Sequence, residues 1–207
     1  DVEVPLTARF SVGGALRYED FSSFGSSLNG KLSARLELTP WLALRGAWSN
    51  GFRAPTPGQS YATQITQGLD TVSLQVFNSG RLSPQDPIAI ALGAKPLKPE
   101  ASDSLSLGLA WQAPSGLFGS LDLYRIALSD RFSTSQSFVV PATAPNPLHY
   151  TSVNYFTNDF DTTTEGADLV FGYQHALGRG RVGATLAYNY NRTQVDNGST
   201  AVAANPT

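Results

Sequence analysis

Residues Leu28–Leu38 read LNGKLSARLEL, and the alternation within them decides the fold. Leu28, Leu32, Ala34, Leu36 and Leu38 fall on one parity, with Lys31, Ser33, Arg35 and Glu37 on the other. Successive side chains of a strand point to opposite sides, so a period of two marks a strand with one apolar and one polar face. Thr7 to Glu19 behaves the same way. There Ala8, Phe10, Val12, Leu16 and Tyr18 alternate with Thr7, Arg9, Ser11, Arg17 and Glu19. Leu42, Leu44 and Trp48 oppose Ala43, Arg45, Ala47 and Ser49. Every charge in these three stretches keeps to one face of its strand.

Further along the chain, Leu105, Leu107, Leu109 and Trp111 alternate with Ser104, Ser106, Gly108 and Ala110. Ala167, Leu169, Phe171 and Tyr173 alternate with Gly166, Asp168 and Gly172, although Val170 breaks the polar face, and Val182 to Asn191 repeats the pattern. Phe118 to Ser129 is less regular. Leu121 and Leu123 share one parity while Tyr124, Ile126 and Leu128 share the other, which predicts a bulge or a strand covered on both sides. Seven strands result, longer than the about 5–6 residues usual in soluble sheets and near the about 9–11 that cross a bilayer.

The connections sharpen this. Thr39-Pro40, Ala113-Pro114-Ser115-Gly116 and Leu177-Gly178-Arg179-Gly180 are tight-turn sequences. They alternate with longer connections: Asp20 to Ser27, residues 53–100 and residues 131–163. Short turns on one side and long loops on the other are the habit of outer-membrane barrels. A charge at the bilayer midplane costs about 2–4 kcal/mol, so the charge-free parity faces lipid. Arg9, Arg17, Lys31, Arg35, Glu37 and Arg45 then line a wet interior, and aromatics such as Trp48, Trp111, Phe118 and Tyr188 fall near strand ends as interfacial girdles.

Composition narrows the function classes. The 207 residues carry 14 basic and 16 acidic side chains, a net charge of −2, without the basic stripe of a nucleic-acid binder. There is no cysteine, hence no disulfide, thiolate metal site or cysteine nucleophile. The opening DVEVPLTARF has neither the basic nor the apolar segment of a signal peptide, and methionine is absent throughout. Seven strands are fewer than the even number, from about 8 upward, of a complete bacterial barrel, and residues 195–207 read as part of an outer loop. The expectation is a piece of a longer barrel whose free edges seek partners.

Four strings carry a resemblance. Gly51-Phe52-Arg53-Ala54-Pro55 closes the third strand, and Leu97-Lys98-Pro99-Glu100 opens the fourth. Tyr124-Arg125-Ile126 with Asp130-Arg131 runs along the fifth. Tyr155-Phe156-Thr157-Asn158, Asp161-Thr162 and Thr164-Glu165-Gly166-Ala167-Asp168-Leu169 lead into the sixth. In order and spacing these resemble the β-barrel domain of TonB-dependent outer-membrane receptors, from about Leu16 to Asn191. The resemblance implies an all-β, antiparallel up-and-down meander forming part of a transmembrane barrel of about 22 strands. It also implies a bacterial outer-membrane setting, an N-terminal plug, a TonB complex that acts through that plug, and import of a scarce nutrient such as a ferric siderophore. Residues 1–207 would then be a partial barrel domain, with the plug and the C-terminal strands outside it. Its partners would be outer-membrane lipid and a small-molecule ligand, with no nucleic acid, no cofactor and no catalysis.

Candidate site residues come from the loops. Arg53 ends one strand and Glu100 begins its neighbour, so antiparallel pairing sets them opposite each other at the loop base, and an ion pair is expected there. Gln59, Tyr61, Gln64, Gln67 and Arg81 in the first long loop, and His149 and Tyr150 in the second, carry the amide, aromatic and charged groups that contact a ligand. Asp159, Asp161, Glu165 and Asp168 lack the spacing of a calcium loop. Gly178-x-Gly180-x-x-Gly183 leads into a strand rather than a helix and cradles no phosphate. His149 and His175 lie in no nucleophile motif. The alternative architecture is a soluble β-sandwich or β-barrel that binds carbohydrate through its loops.

Overall fold

The computed structural model describes residues 2–22, 24–69, 71–72 and 74–198. The chain divides into two units, one of residues 1–52, 101–128 and 162–194, the other of residues 53–100, 129–161 and 195–207.

The first unit is an antiparallel meander. β1 (Val2–Thr7), β2 (Phe10–Phe21), β3 (Gly25–Thr39), β4 (Leu42–Arg53), β7 (Glu100–Gln112), β8 (Leu117–Thr134) and β10 (Tyr150–Leu177) succeed one another in the sheet, and β11 (Gly180–Asn197) pairs with β10. The sheet does not close on itself. The registers put like parities together. Leu16 faces Gly30, Leu32 faces Trp48, and Arg35 faces Arg45, so the apolar positions of consecutive strands form one continuous face. Among the described residues, that face has no second layer over it. Leu16 is 82% exposed, Leu32 62%, Val182 60% and Leu186 62%, and Ala43 is the one buried hydrophobic residue among the unit's described residues. A sandwich would bury such a face against another sheet. A strand that meets lipid leaves it bare.

Several boundaries differ from the sequence expectation. The expected first strand, Thr7 to Glu19, starts only at Phe10, and β1 precedes it as an additional strand: a turn at Ala8 and Arg9 separates the two, where Thr7 Oγ1 accepts from the Arg9 N–H at 3.2 Å. This turn has neither Gly nor Pro, and the parity of Ala8 and Phe10 runs on through it, which hid it. Arg9 therefore stands in a turn rather than along a strand. The expected long connection at Asp20 to Ser27 shrinks to residues 22–24, because both strands extend and Gly25 takes a positive φ of 89°. Phe21 stacks on Phe24 at 4.4 Å and meets Phe52 edge-on at 5.5 Å beside it. The connection at 131–163 narrows to residues 135–149, since β8 and β10 both run well past the apolar stretches that announce them. In the expected loop at 195–207, β11 occupies the first part as far as Asn197, and residues 199–207 lie outside the described residues.

The second parity of β8 is explained by packing. A Cβ at Gly172 would overlap the far end of the Phe118 ring, and one at Gly166 would overlap that of the Tyr124 ring, so each aromatic occupies the space left by a glycine of β10. The irregularity comes later, at Asp130, whose φ is 55°.

The second unit has a core of its own. Residues 53–100 form α1 (Pro57–Tyr61), β5 (Gln64–Leu69), β6 (Val76–Leu82) and α2 (Pro87–Ala91). β5 pairs antiparallel with β6, β6 pairs parallel with the first part of β10, and the short β9 (Phe138–Val139) pairs with β10 as well. Leu82, Ile88, Ala89, Ala94, Tyr150, Val153 and Tyr155 make the buried cluster. Phe138 stacks on Tyr155 at 5.7 Å, and the Tyr155 hydroxyl donates to the Leu92 carbonyl at 2.9 Å. Asp86 caps α2 by accepting from Ile88 N–H at 2.8 Å. Helices of one turn are unstable alone, so here packing holds what propensity does not.

Candidate functional site

At the base of the long loop, β4 delivers Arg53 and β7 delivers Glu100. Arg53 Nε lies 2.9 Å from Glu100 Oε2 and Nη2 lies 3.0 Å from Oε1, a bidentate pair. Glu100 is only 7% exposed, and its Oε1 also accepts from the Phe132 N–H of β8 at 2.8 Å. The Arg53 guanidinium lies over the Phe132 ring at 5.2 Å. One carboxylate thus ties three strands together. A second knot stands beside it in the same unit. Asn158 Oδ1 accepts from Lys98 N–H at 2.8 Å, while its Nδ2 donates to the carbonyls of Lys98 at 2.9 Å and Asp130 at 2.6 Å. Asp161 Oδ1 accepts from Asp130 N–H at 2.9 Å, which holds that residue's positive-φ backbone. Asn158 and Asp161 belong to the strings that carry the resemblance, yet no local signal in the sequence assigns either a partner.

The loop sheet sorts the other candidates by face. Gln64 pairs with Arg81 and Arg81 with Asn154, so these three project from one side. Thr66, Ser79 and Ser152 form the next row on that side. Gln67 pairs with Asn78, and Asn78 with Tyr150, on the opposite side. Gln64 and Gln67 therefore cannot meet one small ligand together. Arg81 Nε donates to Asn154 Oδ1 at 3.4 Å, and its guanidinium lies over the Phe156 ring at 5.1 Å.

Three candidates have other work. Gln59 closes a capping box, its Oε1 accepting from Thr56 N–H at 2.9 Å while Thr56 Oγ1 accepts from Gln59 N–H at 3.2 Å. Tyr150 is a core residue rather than an exposed loop aromatic: Asn146 fixes its backbone with two 2.8 Å hydrogen bonds, and burial raises its phenol pKa, with Asp86 adding to the shift. His149 occupies the turn just before it, with φ 53°. Tyr61, at the end of α1, is exposed. Three of the four carboxylates considered for calcium have different tasks. Asp161 holds Asp130, Glu165 lies 3.6 Å from Arg125, and Asp168 accepts from the Asn189 amide.

The polar face of the first unit carries paired charges. Arg17 meets Glu19 at 2.6 Å, and Arg35 meets Glu37 at 2.7 Å. Arg45 meets Asp122 in a bidentate pair at 3.0 and 2.6 Å. This last pair lies flat over Gly108, where a Cβ would collide with the Asp122 carboxylate. The first unit's sheet thus has one face of paired charges and one bare apolar face.

The sequence matches the family described as TonB dependent receptor-like, beta-barrel, across residues 1–207. The chain belongs to that family. Among solved structures, the receptor barrel is similar to the siderophore receptor PirA from Pseudomonas aeruginosa, with a TM-score of 0.67 and 17% identity, over 94% of this chain and 33% of that one. The ferric enterobactin receptor PfeA from Pseudomonas aeruginosa, solved with enterobactin, gives a TM-score of 0.65 at 16% identity, over 91% of this chain and 26% of that one. The RagAB peptide importer gives 0.61 at 17% identity, over 92% of this chain and 21% of that one. This chain therefore spans a third or less of the length of these structures. A search of curated proteins gives no match. The family is one of outer-membrane receptors and transporters rather than enzymes.

Proposed function

We propose that the chain is a wall segment and loop assembly of an outer-membrane receptor that imports a scarce nutrient, with a ferric siderophore as the favoured cargo. The observation that carries this is the uncovered apolar face of the first unit, backed by an ion-paired polar face. That combination suits a wall between lipid and a wet lumen. Family membership and the names of two of the similar structures, siderophore receptor and ferric enterobactin receptor, support the choice of cargo.

On this reading the parent receptor holds a plug in its lumen and is energised through that plug by a TonB complex. This chain's residues line the wall and present the loops. Arg53 and Glu100 pin the mouth of the long loop. Of the loop candidates, Arg81, Gln64 and Tyr61 keep groups free to meet cargo. Gln59 serves its helix cap and Tyr150 the loop core. Peptide import is the second reading, on the likeness to the RagAB importer.

The test is uptake by cells that carry the whole receptor as their single route for the cargo, with and without TonB. TonB-dependent growth on a ferric siderophore under iron limitation is the expected result. Growth on an oligopeptide as sole amino-acid source, with no iron phenotype, overturns the siderophore reading in favour of the peptide one.

A further inference from the structure

We propose that Arg125, Glu165 and Arg192 form a site, on the lipid side of the wall, that binds the phosphate of an outer-leaflet glycolipid. This rests on the reading of the bare apolar face as the side that meets lipid, and it concerns the membrane rather than the cargo.

The three residues depart from the separation of charge onto the polar face. On β10 that face is marked by Gly166 at the Tyr124 ring, Asp168 at the Asn189 amide and Gly172 at the Phe118 ring. Side chains alternate along a strand, so Glu165 falls on the other face with Leu169 and Phe171, where Phe171 meets Trp111 at 6.5 Å. On β11, Asn189 and Thr193 belong to the polar face, since Thr193 Oγ1 lies 2.8 Å from Thr164 Oγ1. Arg192 therefore shares the apolar face with Leu186, Tyr188 and Tyr190. The same two contacts fix the register and set Glu165 opposite Arg192. From β8, Arg125 Nε lies 3.6 Å from Glu165 Oε1. One carboxylate thus stands between two guanidiniums, in a row across three adjacent strands.

Height decides what this row can meet. Glu165 lies twelve residues before Leu177, the end of β10, and Arg192 lies twelve after Gly180, the start of β11. At about 3.3 Å per residue and a tilt of about 40°, that is a rise of about 30 Å from the short turn. The apolar band of an outer-membrane barrel is about 25 Å tall, so the row stands at headgroup level on the long-loop side. Tyr188 and Tyr190, just below it, stand where interfacial aromatics belong.

Charge and geometry select the ligand. Two guanidiniums and one carboxylate leave the row net positive. The Arg125–Glu165 distance exceeds the about 2.7–2.9 Å of a tight charge-assisted bond, and both side chains are exposed. Arg192 is oriented by Gln194, whose amide oxygen, in the orientation that suits both groups, accepts from Nε at 3.0 Å and Nη2 at 2.9 Å. A phosphate monoester brings close to two negative charges and three acceptor oxygens, which two guanidinium forks can share. A phosphodiester headgroup carries less charge and suits the row less well.

The experiment uses the full-length receptor, delipidated in a neutral detergent, with bound lipid counted by native mass spectrometry. The probes are bisphosphorylated lipid A, the same lipid with both phosphates removed, and phosphatidylglycerol. The variants are R125Q/R192Q, E165Q and R179Q, the last removing a cation in the turn at the opposite end of the β10–β11 hairpin. Wild-type receptor is expected to retain bisphosphorylated lipid A in preference to the other two lipids. R125Q/R192Q should weaken that binding by about tenfold or more. E165Q should bind lipid A more tightly, because the carboxylate that competes for the guanidiniums is gone. Residues that merely brace the strands would give no such gain. R179Q should match the wild type.

Equal retention of lipid A by R125Q/R192Q and wild type overturns the proposal, as does equal retention of the dephosphorylated lipid or of phosphatidylglycerol. Weaker binding by E165Q overturns it too. A receptor dimer that R125Q/R192Q dissolves overturns it in favour of a second copy of the chain. The importer reading is judged separately, by TonB-dependent uptake in cells. A receptor that imports its cargo yet holds no lipid A keeps that reading and loses this one.

Discussion

Arg53 and Glu100, 47 positions apart in the chain, meet through two hydrogen bonds of 2.9 and 3.0 Å at the root of the long loop. The buried member is the carboxylate, and its third bond comes from the backbone of Phe132. The pair therefore joins β4, β7 and β8 while its guanidinium stays largely open to solvent.

Arg53→Ala and Glu100→Ala should each destabilise the refolded receptor, and the double variant should cost clearly less than the sum. A coupling of about 1–3 kcal/mol is expected, because the bond is charge-assisted and one partner is buried. Equilibrium unfolding of the four proteins in detergent measures it. A coupling indistinguishable from zero would mean that the pair is ornamental and that the loop base is held elsewhere.

Gly172 predicts a steric conflict that a second change relieves. The Phe118 ring occupies the space of its missing side chain. Gly172→Ala should destabilise by about 1–3 kcal/mol through overpacking. Adding Phe118→Ala should recover most of that, relative to Phe118→Ala alone. Unfolding midpoints decide the matter, and an unrelieved penalty would point to backbone strain instead.

Tyr155 links the loop core to pH. Burial raises its phenol pKa above the ordinary 10.0. A group whose folded pKa is raised contributes stability that is full below the unfolded value and lost as pH rises through the folded value. The loop unit should therefore weaken in the alkaline range above about 10, where the phenolate must leave the core and the bond to Leu92 is lost. Tyr150, shifted the same way by burial and then by Asp86, adds to the effect. Tyr155→Phe should reduce the alkaline dependence at a neutral-pH cost of about 1 kcal/mol. Protease sensitivity of residues 53–100 across a pH series reads it. An unchanged alkaline slope in Tyr155→Phe would sink this assignment.

Much of the first unit was legible in the sequence because a half-exposed sheet writes its two faces at a period of two. Leu105, Leu107, Leu109 and Trp111 need no tertiary information to be placed on one side. The base of the long loop was legible too, since a strand end and the next strand start must face each other. The second unit was not. β5 and β6 are polar and short, with Gln64, Thr66 and Gln67 showing no apolar alternation, and β6 pairs parallel with a strand more than 60 residues away. Such pairing leaves no local trace. Asn154, Phe156 and Asn158 likewise acquire their partners only when β10 lies beside β6, β8 and the 96–99 segment.

The sequence by itself determined the meander, its two faces, the tight turns and the meeting of Arg53 with Glu100, because these depend on residue type and spacing along neighbouring strands. Only the tertiary structure decided that the long connection folds around its own core, that Gln64 and Gln67 part to opposite faces, and that Arg81 lies half-buried over Phe156 with Asn154 on its Nε. Those outcomes depend on contacts between residues far apart in the chain, and neither periodicity nor composition reports a contact at that distance.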